Sequence, residues 1–414
     1  MDATPQRDPG RRSLSTTCCI VGGGPAGMML GVLLGRAGVD TIVLEKHADF
    51  LRDFRGDTVH PSTMRVLHEL GWLDAFLQRP HQKLVRIGGD FGGRYLHVAD
   101  FSKLDVPAKF IAMMPQWDFL DFLAEQGARY PSLKLLRKTE AVDLIEDGGR
   151  VAGVVAKTAE GSLEIEADLV IGCDGRHSIT RARAGLEVED IGAPIDVLWF
   201  RIGRSKQQIE PAFLHAVAGG FLVTIDRGDY WQCAYIIGKG QTDAVKARGL
   251  DAFRAGIVAI VPALAEHIAD VKSWDDVKLL TVTIDRLRHW SRPGLLCIGD
   301  AAHAMSPVGG VGINLAIADA VATANALAEK LRTRGVTAAD LDAVQARRLL
   351  PVKIIQGVQV AVQNRIINPA LHGQIDPPAL LRLVDAVPAL QRLPAMLIGL
   401  GVRAEHVRSP ITTP

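Results

Sequence analysis

The chain has 414 residues, 48% hydrophobic and 22% charged, an ordinary globular composition in a chain too long for one small core. Its 47 basic and 46 acidic residues leave a formal net charge of +1, so it carries no electrostatic footprint for nucleic acid. Cys18, Cys19, Cys173, Cys233 and Cys297 form no C-x-x-C pair and no zinc spacing, so no metal site is expected. They read instead as small core residues of a reduced, cytoplasmic protein.

In chain order, residues 1–14 read as a flexible polar extension. Arg11-Arg12 ahead of the uncharged run 18–35 imitates an export signal or a membrane span. Three consecutive glycines and Pro25 interrupt that run after four residues, which fits a short buried strand turning into a helix. No transmembrane segment is therefore expected. The spacing predicts a strand over 17–21, a helix over 25–36 closed by Gly38, and a second strand over 39–44. Such βαβ order implies a parallel sheet. Pro61 opens a helix with Met64, Leu67 and Leu70 on one face, ended by Gly71. Residues 220–237 read as two strands joined at Arg227-Gly228-Asp229, and with 191–203 they predict a mostly antiparallel sheet. From Ala301 to about Gln363 the pattern is helical, and the apolar tail 376–403 reads as a final helix pair.

The expected fold is α/β: a Rossmann-like βαβ domain with a parallel sheet, interleaved with the antiparallel sheet and followed by a helical C-terminal tail. In this division 15–85, 105–190 and 279–363 form the nucleotide-binding domain, 86–104 and 191–278 the substrate sheet, and 364–414 the tail.

Gly22, Gly24 and Gly27 form G-x-G-x-x-G between the first strand and helix, with Pro25 and Ala26 opening the helix. The first glycine allows the turn, the second lets a pyrophosphate approach the backbone, and the third lets helix and strand pack closely. Free amides at the helix start favour the phosphate charge. Glu45 ends the second strand, where a carboxylate accepts hydrogen bonds from an adenosine ribose, and Lys46 follows it. This motif alone leaves FAD and NAD open.

Two further segments narrow the choice. Residues 168–181, DLVIGCDGRHSITR, and 292–320, RPGLLCIGDAAHAMSPVGGVGINLAIADA, each carry an apolar strand into an acidic turn. With these three motifs in this order the chain resembles the flavin-dependent aromatic hydroxylases typified by p-hydroxybenzoate hydroxylase, over nearly its whole length. The resemblance implies tightly bound FAD, with Gly299-Asp300 at the ribityl chain. It places Pro307, Gly310, Gly312, Ile313 and Asn314 along the isoalloxazine ring, and the amides of the last three at its N1–C2=O edge. It puts Asp174-Gly175 at the pyrophosphate, in a motif that can also serve NAD(P)H, and brings Arg55 and Gln116 to the cofactor. The implied reaction is hydroxylation of a phenol-like aromatic. NAD(P)H docks transiently to reduce the flavin, and O2 forms a C4a-hydroperoxide that delivers one oxygen atom. A second nucleotide fingerprint is absent, in keeping with that transient docking.

Candidate substrate residues are His60, Thr224, Asp226, Trp231, Cys233 and Tyr235. Strand alternation lets only one parity of the sheet face the flavin, and the sequence leaves that parity open. His60 reads equally as the residue capping the helix at Pro61. His303 reads as structural, and no catalytic acid or base is assigned. Competing readings are another FAD oxidoreductase on a lipophilic, quinone-like substrate, and a binding protein that keeps the fold without the chemistry. The W-x-W-x-I-P motif of flavin halogenases is missing. A homodimer is left open.

Overall fold

The structure, a computed structural model, describes residues 12–51, 58–204 and 214–412. Among these, an eight-stranded sheet carries β1 (Arg12–Val21), β2 (Thr41–Glu45), β5 (Leu133–Arg137), β6 (Gly161–Gly172) and β12 (Leu295–Cys297). Their order is β12-β6-β1-β2-β5, all parallel. Every residue of β2 is buried, as in a strand covered on both faces. Helix α1 (Pro25–Arg36) returns the chain from β1 to β2, and Gly38 leaves it at φ +75°, where a side chain would be strained.

The first strand starts earlier than the sequence suggested. Arg12, Ser13 and Leu14, expected in the flexible extension, pair with Leu163, Glu164 and Ile165 of β6. The long β6 offers that edge, and Arg12 adds an ion pair to Glu160. Residues 1–11 lie outside the described residues.

The second sheet has seven strands among the described residues. They are β3 (Arg86–Phe91), β4 (Arg94–Asp100), β7 (Ile195–Gly203), β8 (Leu214–Val217), β9 (Gly220–Asp226), β10 (Tyr230–Gly238) and β11 (Lys278–Leu280). The order is β11-β7-β10-β9-β8-β3-β4, antiparallel except where β8 meets β3. The β9–β10 turn falls at Arg227-Gly228-Asp229, with Gly228 at φ +86° and its N–H donating to Asp226 Oδ1 at 2.8 Å.

Helix α2 (Pro61–Glu69) follows a two-residue strand, and α3 (Gln116–Gly127) lies on the parallel sheet beside α1. Helix α4 (Leu250–Ile260) covers one face of the antiparallel sheet. Helices α5 (Gly312–Arg332) and α6 (Ala338–Val362) complete the nucleotide-binding domain. Residues 301–311, inside the stretch read as helical, instead form short 3-10 turns and loop, because Gly309 and Gly310 stand at positive φ. The stretch Val308–Arg332 is long and apolar enough to cross a membrane, with mean hydropathy 1.4, yet 78% of that window is buried against its own protein. It is placed as a core helix. The tail forms α7 (Ala379–Ala386) and α8 (Arg392–Gly399), both packed on β4.

Candidate active site

All three motifs converge at the carboxyl ends of four adjacent strands. Gly22 N–H donates to Leu44 O at 2.9 Å, Cys173 N–H to Val21 O at 2.7 Å, and Ile298 N–H to Gly172 O at 2.9 Å. The glycine turn, the Asp174 turn and the Gly299 turn thus lie side by side, in the crevice where open α/β sheets bind ligands.

The three glycines of the fingerprint do different things. A Cβ on Gly22 would lie 2.4 Å from Cys173 O, and one on Gly27 would lie 1.9 Å from Gly22 O, so both are demanded by packing. A Cβ on Gly24 would meet nothing within 4 Å, and the same holds for Gly312 at the start of α5. Neither α1 nor α5 has a side-chain cap, so their first amides stay available to a ligand. Glu45, 7% exposed, is fixed beside the turn by the N–H groups of Gly23 (3.2 Å) and His47 (2.9 Å), while Lys46 is exposed. Open backbone at Gly24 and Gly312, two uncapped helix starts and a positioned acid fit an FAD pyrophosphate, ribose and flavin edge. Bound FAD would supply the redox chemistry, accepting electrons from a reductant and activating O2.

The Asp174 carboxylate serves its own turn. It accepts from Ser178 Oγ (2.6 Å), Thr180 Oγ1 (2.8 Å) and Thr180 N–H (3.0 Å), and the next residue, Gly175, stands at φ +83°. Asp174 therefore shapes the loop, and backbone rather than carboxylate is what this loop presents to a ligand. Asp300 is partly exposed and accepts from Arg176 Nε at 3.2 Å. Arg176 also donates to Met305 O at 3.4 Å, and the guanidinium of Arg181 binds Arg176 O, Ala301 O and Asp285. These two arginines tie the second motif to the third. Arg181 closes the D-G-R-H-S-I-T-R string without a role legible in it, and Arg176 carries no sequence signal of its own.

Below Gly299 lies a buried ionic network. Asp319 Oδ2 accepts from Gly299 N–H (3.0 Å) and meets His303 Nε2 at 2.6 Å, while Asp319 Oδ1 accepts from Arg348 Nε (2.8 Å). Arg348 also reaches Glu405 at 3.3 Å. Burial alone would raise the Asp319 carboxyl, but His303 and Arg348 outweigh it and hold it below the usual range. His303 is thus placed as a support of the Gly299 turn. An acid inside the apolar run INLAIADAVATA was the signal that could have found Asp319.

The flavin-side loop is anchored through Asn314. Its Oδ1 accepts from His60 N–H (2.9 Å) and Thr63 Oγ1 (2.7 Å), and Thr58 Oγ1 donates to Gly310 O (2.7 Å). The Asn314 side chain therefore braces α2, leaving its backbone for the cofactor. Pro307, Gly310, Gly312 and Ile313 follow one another along this loop and the start of α5, and a Cβ on Gly299 would touch Ala26 at 3.1 Å. Gln116 is the first residue of α3; Arg55 lies outside the described residues.

His60 precedes α2 but caps nothing with its side chain. It is fully buried; Nδ1 lies 2.8 Å from Ile398 O and must donate there, so Nε2 keeps its lone pair and has no partner among the described residues. Burial pushes the imidazole down to about 4.

The substrate candidates on the sheet require a correction. Leu198, Phe200, Leu222, Trp231, Cys233 and Ile237 pack with Phe253 and Ile257 of α4, and the Tyr235 ring meets Phe253 edge-on at 5.5 Å. Thr224, paired with Cys233, bonds His215 on the same face at 2.9 Å. The parity of Thr224, Trp231, Cys233 and Tyr235 therefore faces α4, away from the flavin motifs. Asp226 is occupied by the hairpin turn and by Arg204 at 3.3 Å. The opposite parity, including Trp199, Leu214 and Val223, packs in one cluster with Val308 of the flavin-side loop. Alternation alone gave two equal faces, and the position of α4 chooses between them. All five cysteines are free and buried; burial pushes the Cys19 thiol up to about 12, so they act as core residues.

Known sequences agree with this geometry. The family described as "FAD binding domain" matches residues 15–357. The 6-methylpretetramide 4-monooxygenase of Streptomyces rimosus is 33% identical over 400 residues, covering 96% of this chain and 95% of that protein. The chain belongs to the FAD-dependent aromatic hydroxylases. This hydroxylase also resembles the dialkyldecalin synthase of Streptomyces rugosporus, 26% identical over 74% of this chain and 64% of that one. Its fold matches the OxyS anhydrotetracycline hydroxylase from Streptomyces rimosus with a TM-score of 0.72 at 23% identity, covering 93% and 76% of the two chains. The hydroxylase is an FAD-dependent monooxygenase.

Proposed function

We propose that this monooxygenase hydroxylates an aromatic polyketide with several fused, oxygenated rings, using O2 and a transiently docked NAD(P)H. The observation that carries the reading is the 33% identity to 6-methylpretetramide 4-monooxygenase across nearly the full length of both chains. The apolar character of the flavin-facing sheet supports it, because Trp199, Val223, Leu214 and Val308 offer area to a flat ligand and few fixed charges. The protein binds, orients and keeps water out. The amides of Gly312, Ile313 and Asn314 bring positive potential to the flavin edge, which favours its anionic reduced form. The free, buried thiols support a cytoplasmic setting.

Purified holoenzyme should oxidise NADPH or NADH faster when a polycyclic phenol is added, and product made under 18O2 should carry one labelled oxygen atom. Consumption of NAD(P)H without label in any product would contradict the monooxygenase reading for that substrate class. A product formed equally well without O2 would likewise contradict the monooxygenase reading.

A further inference from the structure

The flavin-facing side of the antiparallel sheet is not uniformly packed. One transverse row, read from the pairing register, runs Trp199 on β7, Ala234 on β10, Val223 on β9, Leu214 on β8 and Gly89 on β3. Trp199, Val223 and Leu214 in that row are partly exposed. The flanking positions Val197, Phe221 and Ile236 on one side are buried, as are Gln232 and Ile225 on the other, where Arg201 beside Trp199 is exposed. An apolar strip is thus left open beside one closed row, with Arg201 at the Trp199 end of its other edge. From β7 to β8 it crosses three strand spacings, about 14 Å. Ala234 keeps its floor low between Trp199 and Val223, so its proportions suit a flat fused-ring skeleton better than a single ring.

Trp199 stands at one end of this strip and borders both clusters that meet there, one containing Val308 and the other Met113, Ile225 and Ile398. Its indole Nε1–H is shielded from solvent and has no hydrogen-bond partner among the described residues. A shielded N–H without an acceptor is costly, and buried tryptophans usually satisfy it. The apolar side chains of those two clusters offer it no acceptor.

We propose that Trp199 orients the substrate. Its ring flanks a polycyclic nucleus lying along Ala234, Val223 and Leu214, and its Nε1–H donates to a carbonyl oxygen of that nucleus. This rests on the polycyclic-substrate reading given above. It names a residue that fixes which ring position meets the flavin, on the opposite parity to Trp231.

The test compares 2-hydroxyanthraquinone with 2-hydroxyanthracene, which lacks the quinone carbonyls, as ligands of the FAD-loaded enzyme followed by flavin difference spectra. Trp199→Phe keeps an aromatic wall and removes the donor. It should weaken the quinone about tenfold, the loss of one hydrogen bond, and leave the hydroxyanthracene within about twofold. Trp199→Leu should weaken both, and flavin content of both variants should match the parent. Equal weakening of both probes by Trp199→Phe, or none of either, would overturn the hydrogen bond while leaving the polycyclic reading in place. If the parent enzyme binds neither probe, the polycyclic reading fails and this assignment falls with it.

Discussion

Gly24 and Gly27 sit three residues apart and fail in different ways when substituted. At Gly24 the backbone is extended, with φ −73°, and open space surrounds the Cβ position. Gly24→Val should fold with nearly unchanged Tm but purify with a low flavin-to-protein absorbance ratio, since the new side chain fills the place of the pyrophosphate. Gly27→Ala puts a methyl 1.9 Å from Gly22 O, so α1 must shift away from its strand. It should lose roughly 1–3 kcal/mol of stability, measured by denaturant unfolding of the apoprotein. His60 gives a pH signature. Its folded pKa of about 4 lies below the ordinary 6.5, so the contribution is complete above pH 6.5. As pH falls from there towards 4, the unfolded chain takes the proton first and stability drops, by roughly 3 kcal/mol in all. The stability difference between parent and His60→Gln should shrink by that amount across the window; a constant difference would remove the buried neutral imidazole from the account.

At the scale of elements, the third motif depends on helices far from any ligand. The Gly299 turn is held by Asp319 of α5, which is held by Arg348 of α6. Both side chains are essentially inaccessible, at 0% and 1%. Removing one partner leaves the other charge buried, a loss of about 3–5 kcal/mol. Asp319→Ala should therefore lower stability by that order in chemical unfolding, and it should weaken FAD retention because Gly299 N–H loses its acceptor. Asp300→Ala, at a partly exposed position, should weaken FAD retention with little change in apoprotein stability. The glycine fingerprint, α1 and the β9–β10 hairpin were legible because each is a local pattern: periodicity, turn residues and spacing. The Asp319 network was not, since its partners lie 16 and 29 residues away and meet only after α5 and α6 pack.

For the whole molecule, the choice of sheet face is the clearest limit on reading from sequence. Trp199 and Trp231 both stand in expected strands, and the sequence singles out only Trp231 as a ligand contact. Only the seat of α4 on the Phe200, Cys233 and Tyr235 side turns one inward and leaves the other towards the flavin domain. Val223→Lys should abolish substrate hydroxylation while flavin content stays at the parental level. Cys233→Ala should cost about 1–3 kcal/mol of stability and leave the KM for substrate unchanged. The reverse pattern would mean that the α4 face is the one that meets substrate. The tail belongs to the same arrangement: α8 brings Ile398 O to His60 and Ala395 to the cluster that contains Ile225.

The strand order β12-β6-β1-β2 has a consequence for synthesis. The glycine turn at Gly22 and the Gly299 turn are two strands apart in the sheet but 277 residues apart along the chain (299 − 22). A ribosome adding about 5–20 residues per second needs roughly 15–55 s to supply the second after the first. During that interval β1 lacks β6 and then β6 lacks β12, and the apolar segments meant to be covered stay open to chaperones. Flavin capture must therefore be a late event, and a shortage of FAD would act on a nearly finished polypeptide. Cells starved of riboflavin should then accumulate full-length apoprotein more than early truncated fragments.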